Sequence, residues 1–466
     1  MTETIPQAYF VPQEEVAEQV VEFNGVPLRV AAMDVKTLGR LASRLRGEFT
    51  LCRMPLADIV DALGETTRRW QSASFSFRQV AEEYLPRLTG YSRPTIARGL
   101  DHLFSELSRD HLWALLEEEF DDPLVLDEWR PRRRAKGKVR AFGPKYVLHI
   151  MAGNIPGLGV QSLIFGLLVK SRNLIKSATE EPLLTALFAQ SLAEVCSELS
   201  HLAVVLWWKR EEERLNKVAL SPADLIVAYG GADVIESLQR QIISPPYQRL
   251  VAYGPRESLA FIARECATHE IARALAMDVA MYDQQGCLSP QYCCVEEGGV
   301  LSPPHFAQAL AQELAMLEKD LPSGKPPPAR AARTQQARSV YEMKGATVYS
   351  SPGRIQWTVV FTPKILMLNP YASRLIAVWP VPDLLEPTRP LTKSIALHNT
   401  GGGIQAIGLA APPERAQAII DAYAAETGVN RFCPIGKMQF PPLLWHHDGR
   451  PNLTDFVRWV DWEEKG

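Results

Sequence analysis

KYVLHIMAGNIPGLGVQSLIFGLLVKSRNLIKS, residues 145–177, reads as strand, loop, helix and strand. KYVLHIM and NLIKS are short apolar runs suited to buried strands. AGNIPGLG is the turn between the first strand and the helix VQSLIFGLLVKS. The pattern then repeats. Pro182 opens a helix with Leu184, Phe188, Leu192, Val195 and Leu199 on its apolar face. AVVLWW is the next strand; DLIVAYGG is another, running into the helix ADVIESLQRQI, and QRLVAYG follows as a further strand. Such alternation predicts an α/β fold built from parallel βαβ units with right-handed crossovers.

Beyond Gly254 a second α/β region follows, with SLAFIA as a strand. THEIARALAMDVAMYD is a helix with Thr268 as N-cap and Ile271, Leu275, Val279 and Tyr282 on one face. Ser302 precedes Pro303 and Pro304 at the start of a helix carrying Phe306, Leu310, Leu314 and Leu317. LPSGKPPPARAARTQQARS, residues 321–339, reads as an exposed Pro-rich basic loop. PERAQAIIDAYAAETG is a late helix closed by Gly428. The first 120 residues read as mainly helical; SRPTIARGLDHLFSEL places Ile96, Leu100, Leu103 and Leu107 at helical spacing. WRPRRRAKGKVR, residues 129–140, reads as a solvated hairpin arm, and Phe456, Val457, Val460 and Trp462 as a tail that packs elsewhere.

The chain has 466 residues, 46% hydrophobic and 22% charged, as ordinary globular proteins do. A net charge of −3 gives no pull toward nucleic acid or an anionic membrane. The polar, acidic start is no signal peptide, and GVQSLIFGLLV is too short to span a bilayer. The expectation is a cytoplasmic protein whose seven cysteines are free thiols. Cys287, Cys293 and Cys294 form a C-x5-C-C spacing that matches no zinc pattern, so no metal site is expected. Alternation in QYCCVEE puts Cys293 and Cys294 on opposite faces of a strand. His446 and His447, in WHHDGRPN, read as part of a turn-rich surface segment.

Two side chains carry the chemistry. Cys287, in MYDQQGCLSPQYCCVE, lies 133 residues after Asn154 in HIMAGNIPGLG. Acyl transfer needs a nucleophile and a donor for the oxyanion it creates; a thiol and a carboxamide supply both. Gly230-Gly231, between a strand and a helix, could present backbone N–H groups to a phosphate, as could Gly153–Gly159. Neither is a G-x-G-x-x-G or a P-loop.

Taken in order, these landmarks resemble the aldehyde dehydrogenase superfamily. Asn154 in GNIP is similar to the Asn-Phe-Pro segment whose Asn donates to the oxyanion. LIKSATEEPLLTAL resembles the cofactor strand and helix in which a lysine, here Lys176 beside Ser177, contacts the adenosine ribose. Gly230-Gly231 falls where the superfamily has its turn at the dinucleotide phosphates, and Gln285-x-Cys287 matches the end of the catalytic-thiol motif. AGNIPGLGVQSL, DQQGCLSPQ and GVNRFCPIGKMQF more closely resemble the fatty-acyl-CoA reductases of bacterial luminescence systems, the LuxC family. The resemblance implies a Rossmann-type cofactor domain over 145–253, with residues 1–120 as its helical N-terminal part. It also implies a catalytic domain over 254–432 and a small oligomerisation arm at 121–144, to which residues 433–466 return.

Hydrolytic members carry a glutamate base where this chain has Ala252; Glu257 is five residues further on. Without a base there to activate water, a thioester on Cys287 should persist until hydride reduces it. The expected reaction is reduction of a fatty acyl-CoA or acyl-carrier thioester to the aldehyde. The alternatives are an NAD(P)-dependent aldehyde dehydrogenase forming the acid, or an acyltransferase or acyl-carrying subunit of a multienzyme complex. NAD-preferring members place a glutamate three residues after the lysine; here that residue is Thr179. A hydroxyl can donate to a 2′-phosphate that a carboxylate would repel, so NADPH is the expected cofactor, with NADH the alternative. The resemblance further implies a homo-oligomer and an acyl-transferring or acyl-activating partner enzyme.

Overall fold

The computed structural model describes residues 5–47, 53–242, 248–366, 372–385 and 403–463. The chain opens on an antiparallel hairpin, β1 (Glu18–Phe23) and β2 (Val26–Ala31), where the sequence reading expected helix. The turn is Asn24-Gly25, with φ of 49° and 77°; two left-handed residues in a row match the twist of a two-residue hairpin. Five helices follow: Val35–Arg46, Leu56–Trp70, Ser76–Thr89, Arg93–Glu106 and Arg109–Phe120. The fourth starts as its sequence predicts, with Ser92 Oγ accepting from the Thr95 amide.

The short strands β3 (Arg130–Pro131) and β4 (Lys138–Phe142) lead into a five-stranded sheet. Its strands are β5 (Tyr146–Ile150), β6 (Arg172–Lys176), β7 (Ala203–Leu206), β8 (Leu225–Tyr229) and β9 (Arg249–Tyr253). All pair in parallel, in the order β7-β6-β5-β8-β9. Every residue of β7 and β8 is buried, because helices cover both faces of a parallel sheet. Phe10 exchanges backbone hydrogen bonds of 2.8 Å with Val205, so the N-terminal segment runs along the outer side of β7.

A second sheet holds β10 (Glu257–Ile262), β11 (Pro290–Glu296), β12 (Thr347–Ser350), β13 (Thr358–Phe361), β14 (Leu375–Val381), β15 (Ile404–Ala410) and β16 (Phe432–Pro434). Its order is β12-β13-β14-β11-β10-β15-β16, and only β12 and β13 pair antiparallel. On β11 Cys293 faces one core and Cys294 the other, where Trp379 also packs. The stretch expected to be an exposed loop is irregular only over 321–327; from Pro328 to Met343 the chain is a helix. Proline is tolerated in a first helical turn, where its missing N–H costs nothing, and the Ala, Arg and Gln residues that follow favour helix. Near the end, β17 (Arg458–Trp462) pairs antiparallel with β4, and Lys138 Nζ lies 4.6 Å from the Trp462 ring. Among the described residues no helix is long and apolar enough to cross a membrane.

Candidate active site

The order of the first sheet reverses direction at β5: the chain passes from β5 to β6 and β7 on one side, then to β8 and β9 on the other. Open α/β sheets bind ligands at the carboxyl ends of the strands beside such a reversal. Here that position opens into a cleft of about 2090 Å³, lined by residues of both sheets. Asn154, Lys176, Thr179, Gly230, Gly231 and Cys287 all line it. Ser177 does not; it is buried with its Oγ unpartnered. Neighbouring side chains at a strand end point to opposite sides, so Lys176 and Ser177 cannot both face the cleft.

Cys287 is held by an unusual backbone. Helix His269–Ala280 ends, and Tyr282, Asp283 and Gln284 then take φ of 51°, 47° and 63°. Three successive left-handed residues without glycine are strained, by about 1–3 kcal/mol each, and persist only where the surroundings hold them. Arg374 Nε donates to Asp283 Oδ1 at 2.8 Å, and Gln284 Nε2 donates to the carbonyls of Pro290 and Leu375 at 2.7 Å. The Cys287 carbonyl accepts from Ser258 Oγ at 2.7 Å. Nothing local in DQQGC signals this strain, since its restraints come from distant residues.

Asn154 reaches the same loop. Its Nδ2 donates to the Gln285 carbonyl at 2.9 Å, and its own carbonyl accepts from Tyr91 Oη at 2.6 Å. One amide hydrogen of Asn154 is left for an oxyanion. Ala252 lies within β9 and brings no carboxylate, whereas Glu257, at the start of β10, lines the cleft.

Burial pushes the Cys287 thiol up to about 12, and the charge of Asp448 adds to the rise. The backbone N–H groups of Cys287 and Leu288 and the Arg256 guanidinium work the other way. Arg256 Nε and Asp448 Oδ2 form an ion pair of 3.2 Å. The segment WHHDGRPN is therefore not all surface. His447 is mostly buried in the cleft wall, its ring stacked at 4.4 Å on Tyr253, and burial lowers its pKa to about 4. Its tertiary packing against β9 leaves no trace in a locally polar sequence.

Asp448→Asn removes a negative charge that opposes the thiolate and frees Arg256 to favour it. The thiol pKa should fall. Alkylation by iodoacetamide near neutral pH should then speed up, about tenfold if the pKa drops by about 1. Asp448 sits at φ 55°, a conformation asparagine accepts. An unchanged alkylation rate across the pH range would remove Asp448 from the thiol's environment.

The groups at the other end of the cleft fit a dinucleotide. Lys176 Nζ lies 5.3 Å from the Trp208 ring, and burial lowers its pKa to about 8, a change that Glu211 partly opposes. Thr179 Oγ1 accepts from Trp207 Nε1 at 3.2 Å and keeps its own hydrogen free to donate. Gly231 precedes helix Ala232–Gln241 with no side-chain cap of its own; the Asp233 carboxylate, paired with Arg210 at 2.6 Å, accepts from the first-turn amides of Asp233 and Val234, so a phosphate bound there would take its place. Gly153 admits Glu180: a Cβ there would lie 3.0 Å from Glu180 Oε2.

The fold is that of the aldehyde dehydrogenases. Indole-3-acetaldehyde dehydrogenase of P. syringae, solved in complex with NAD+, matches at a TM-score of 0.76 over 99% of this chain and 97% of its own, with 13% identity. A family model described as acyl-CoA reductase (LuxC) matches residues 51–459, and the chain belongs to that family. The long-chain acyl-protein thioester reductase of Vibrio harveyi is 26% identical over 411 residues, 87% of this chain and 82% of its own. That of Aliivibrio fischeri is 26% identical over 416 residues, 88% of this chain and 82% of its own.

Proposed function

We propose that this chain reduces a fatty acyl thioester to the aldehyde through an S-acyl intermediate on Cys287, using NADPH. The observation that carries the reading is the meeting of Cys287 and Asn154 through Gln285, in a cleft that also holds Lys176, Thr179 and Gly230-Gly231. The relatives from Vibrio harveyi and Aliivibrio fischeri act on acyl-protein thioesters by name, which supports the substrate class.

The Cys287 sulfur attacks the carbonyl carbon of the donor thioester after losing its proton. The spare Asn154 amide hydrogen stabilises the oxyanion, helped by the Cys287 backbone N–H. The carbon–sulfur bond to the donor breaks, and the donor thiol leaves with a proton. Bound NADPH supplies the hydride for the reductive half of the reaction. The resulting oxyanion on the Cys287 adduct rests on the same donors, then collapses to aldehyde and free thiolate. Burial makes the Cys287 thiol harder to ionise than a free one, so the step that removes its proton limits its attack. Ala252 leaves no carboxylate where hydrolytic members have their base, and this favours reduction over hydrolysis. Glu257 is the cleft residue that could activate water instead. NADPH oxidation with aldehyde formation across acyl-CoA chain lengths tests the proposal. Acid as the product from an aldehyde and NADP+, with no aldehyde formed from any thioester, would sink it.

Cofactor choice gives a separate test. Thr179→Glu puts a carboxylate where a 2′-phosphate would lie and offers an acceptor to ribose hydroxyls. The ratio of kcat/KM for NADPH over NADH should fall by about tenfold to over a hundredfold, for roughly 1.5–3 kcal/mol per charged hydrogen bond gained or lost. A wild type that already prefers NADH, or a ratio that does not move, refutes the role given to Thr179.

A further inference from the structure

Away from the thiol and the dinucleotide groups, one mouth of the cleft is basic. Arg87, Lys325 and Arg330 all line it, and none forms an ion pair among the described residues. They come from separate elements: Arg87 from the last turn of helix Ser76–Thr89, Lys325 from the loop after helix Pro303–Leu317, and Arg330 from the first turn of helix Pro328–Met343. Glu22, on the hairpin whose Asn24 donates to the Arg87 carbonyl, is the acidic residue of this rim.

The rim is built. Gly90, at φ +81°, lets the loop approach so closely that a Cβ there would meet the Lys325 carbonyl oxygen at 2.8 Å. The Lys325 amide donates to the Gly90 carbonyl at 2.8 Å, and the Gly324 amide donates to Asp283 Oδ2 at 3.1 Å. Asp283 belongs to the strained turn that carries Cys287, so the basic loop and the thiol share one anchor. Tyr91, next to Gly90, donates to the Asn154 carbonyl. Burial raises the Tyr91 phenol and the Arg330 charge opposes that rise, which places Arg330 within electrostatic reach of it. A chain of contacts therefore runs from the rim through Tyr91 and Asn154 to Gln285, two residues before Cys287.

We propose that Arg87, Lys325 and Arg330 bind the phosphate of a phosphopantetheine arm, whose thiol end delivers the acyl group to Cys287. This rests on the acyl-thioester reading above and names its donor class. Guanidinium and ammonium groups pair with phosphate through charge-assisted hydrogen bonds, and three such cations outnumber the one carboxylate, Glu22, named on this rim. The phosphate is common to CoA and to phosphopantetheinyl carrier proteins, so either source satisfies the site.

The test compares S-acyl-4′-phosphopantetheine with S-acyl-pantetheine, which differ by that phosphate alone. Wild type should favour the phosphorylated thioester by about tenfold or more in kcat/KM at low salt, less so as salt screens the rim. In Arg87→Ala/Lys325→Ala/Arg330→Ala that preference should collapse toward one. Circular dichroism and the residual rate with S-acyl-pantetheine show whether the variant is folded; if it is not, Lys325→Glu alone should lower the preference. Acyl-CoA and an acylated carrier protein are run beside them. A loss in the variant with either supports the site and identifies that source. Absence of a preference in wild type, or an unchanged preference in the folded variants, overturns the proposal. Wild type that reduces no thioester at all overturns the underlying reading as well, an outcome distinct from equal reduction of both.

Discussion

Cys287→Ala is expected to lose both S-acylation and aldehyde formation entirely, because the thiol is the only covalent anchor in the mechanism. Incubating wild type with acyl-CoA and no cofactor should add the acyl mass to the peptide containing Cys287, and the variant should show none. The fold should survive. Cys287 is half-buried, its carbonyl contact with Ser258 does not involve the side chain, and losing one sulfur costs about 1 kcal/mol, the scale of a buried methylene. The other described thiols make the experiment discriminating. Cys293, Cys294 and Cys433 are buried, Cys266, half-buried, has its pKa raised by burial, and Cys196, also half-buried, is the control thiol that should stay unlabelled. Acyl label on Cys266 or Cys294 in the wild type would show that the site is wrongly assigned.

Asn154→Ala is expected to slow acylation by about 10² to 10³, or roughly 2.7–4 kcal/mol, the effect of removing one oxyanion donor. Single-turnover acylation is the measurement, since it isolates the step in which the oxyanion first forms. The Tyr91 hydroxyl bonds the Asn154 backbone, so that contact persists in the variant, whereas the bond from Nδ2 to Gln285 is lost. A loosened loop would also change alkylation of Cys287 by iodoacetamide, which has no acyl oxyanion to stabilise. Slow acylation with normal alkylation therefore identifies the donor role. A near-normal acylation rate removes Asn154 from the mechanism.

The parts of the fold that can be read from the chain are those with local cause. KYVLHIM, NLIKS, AVVLWW and DLIVAYGG are predominantly apolar because both faces of their strands are covered, and their alternation with helices implies parallel pairing. Cys287 and Asn154 are legible as chemistry, but their meeting through Gln285 depends on two loops from different sheets. The hairpin at 18–31 carries a strong turn signal, Asn24-Gly25, which the helical patterns in the rest of the first 120 residues mask. The helix from Pro328 hides behind its prolines. His447 is hidden more deeply: its neighbours in sequence are polar, and only the docking of this segment on β9 buries it. The basic rim is equally unreadable, since Arg87 and Lys325 lie far apart in the chain and are brought together by the contact of Gly90 with the Lys325 backbone.

The return of the tail to β4 bears on the order in which this protein can be made. Arg132 and Asp461, which pair across that sheet, are 329 positions apart. Trp445, His447 and Asp448, which wall or charge the cleft, also come from the last part of the chain. A ribosome adding about 5–20 residues per second leaves β4 paired only with the short β3, and its other edge open, for tens of seconds. Closing such distant contacts is slow in itself, because chain entropy must be spent before they form. The walls around Cys287 thus close only once residues 445–448 have docked against β9.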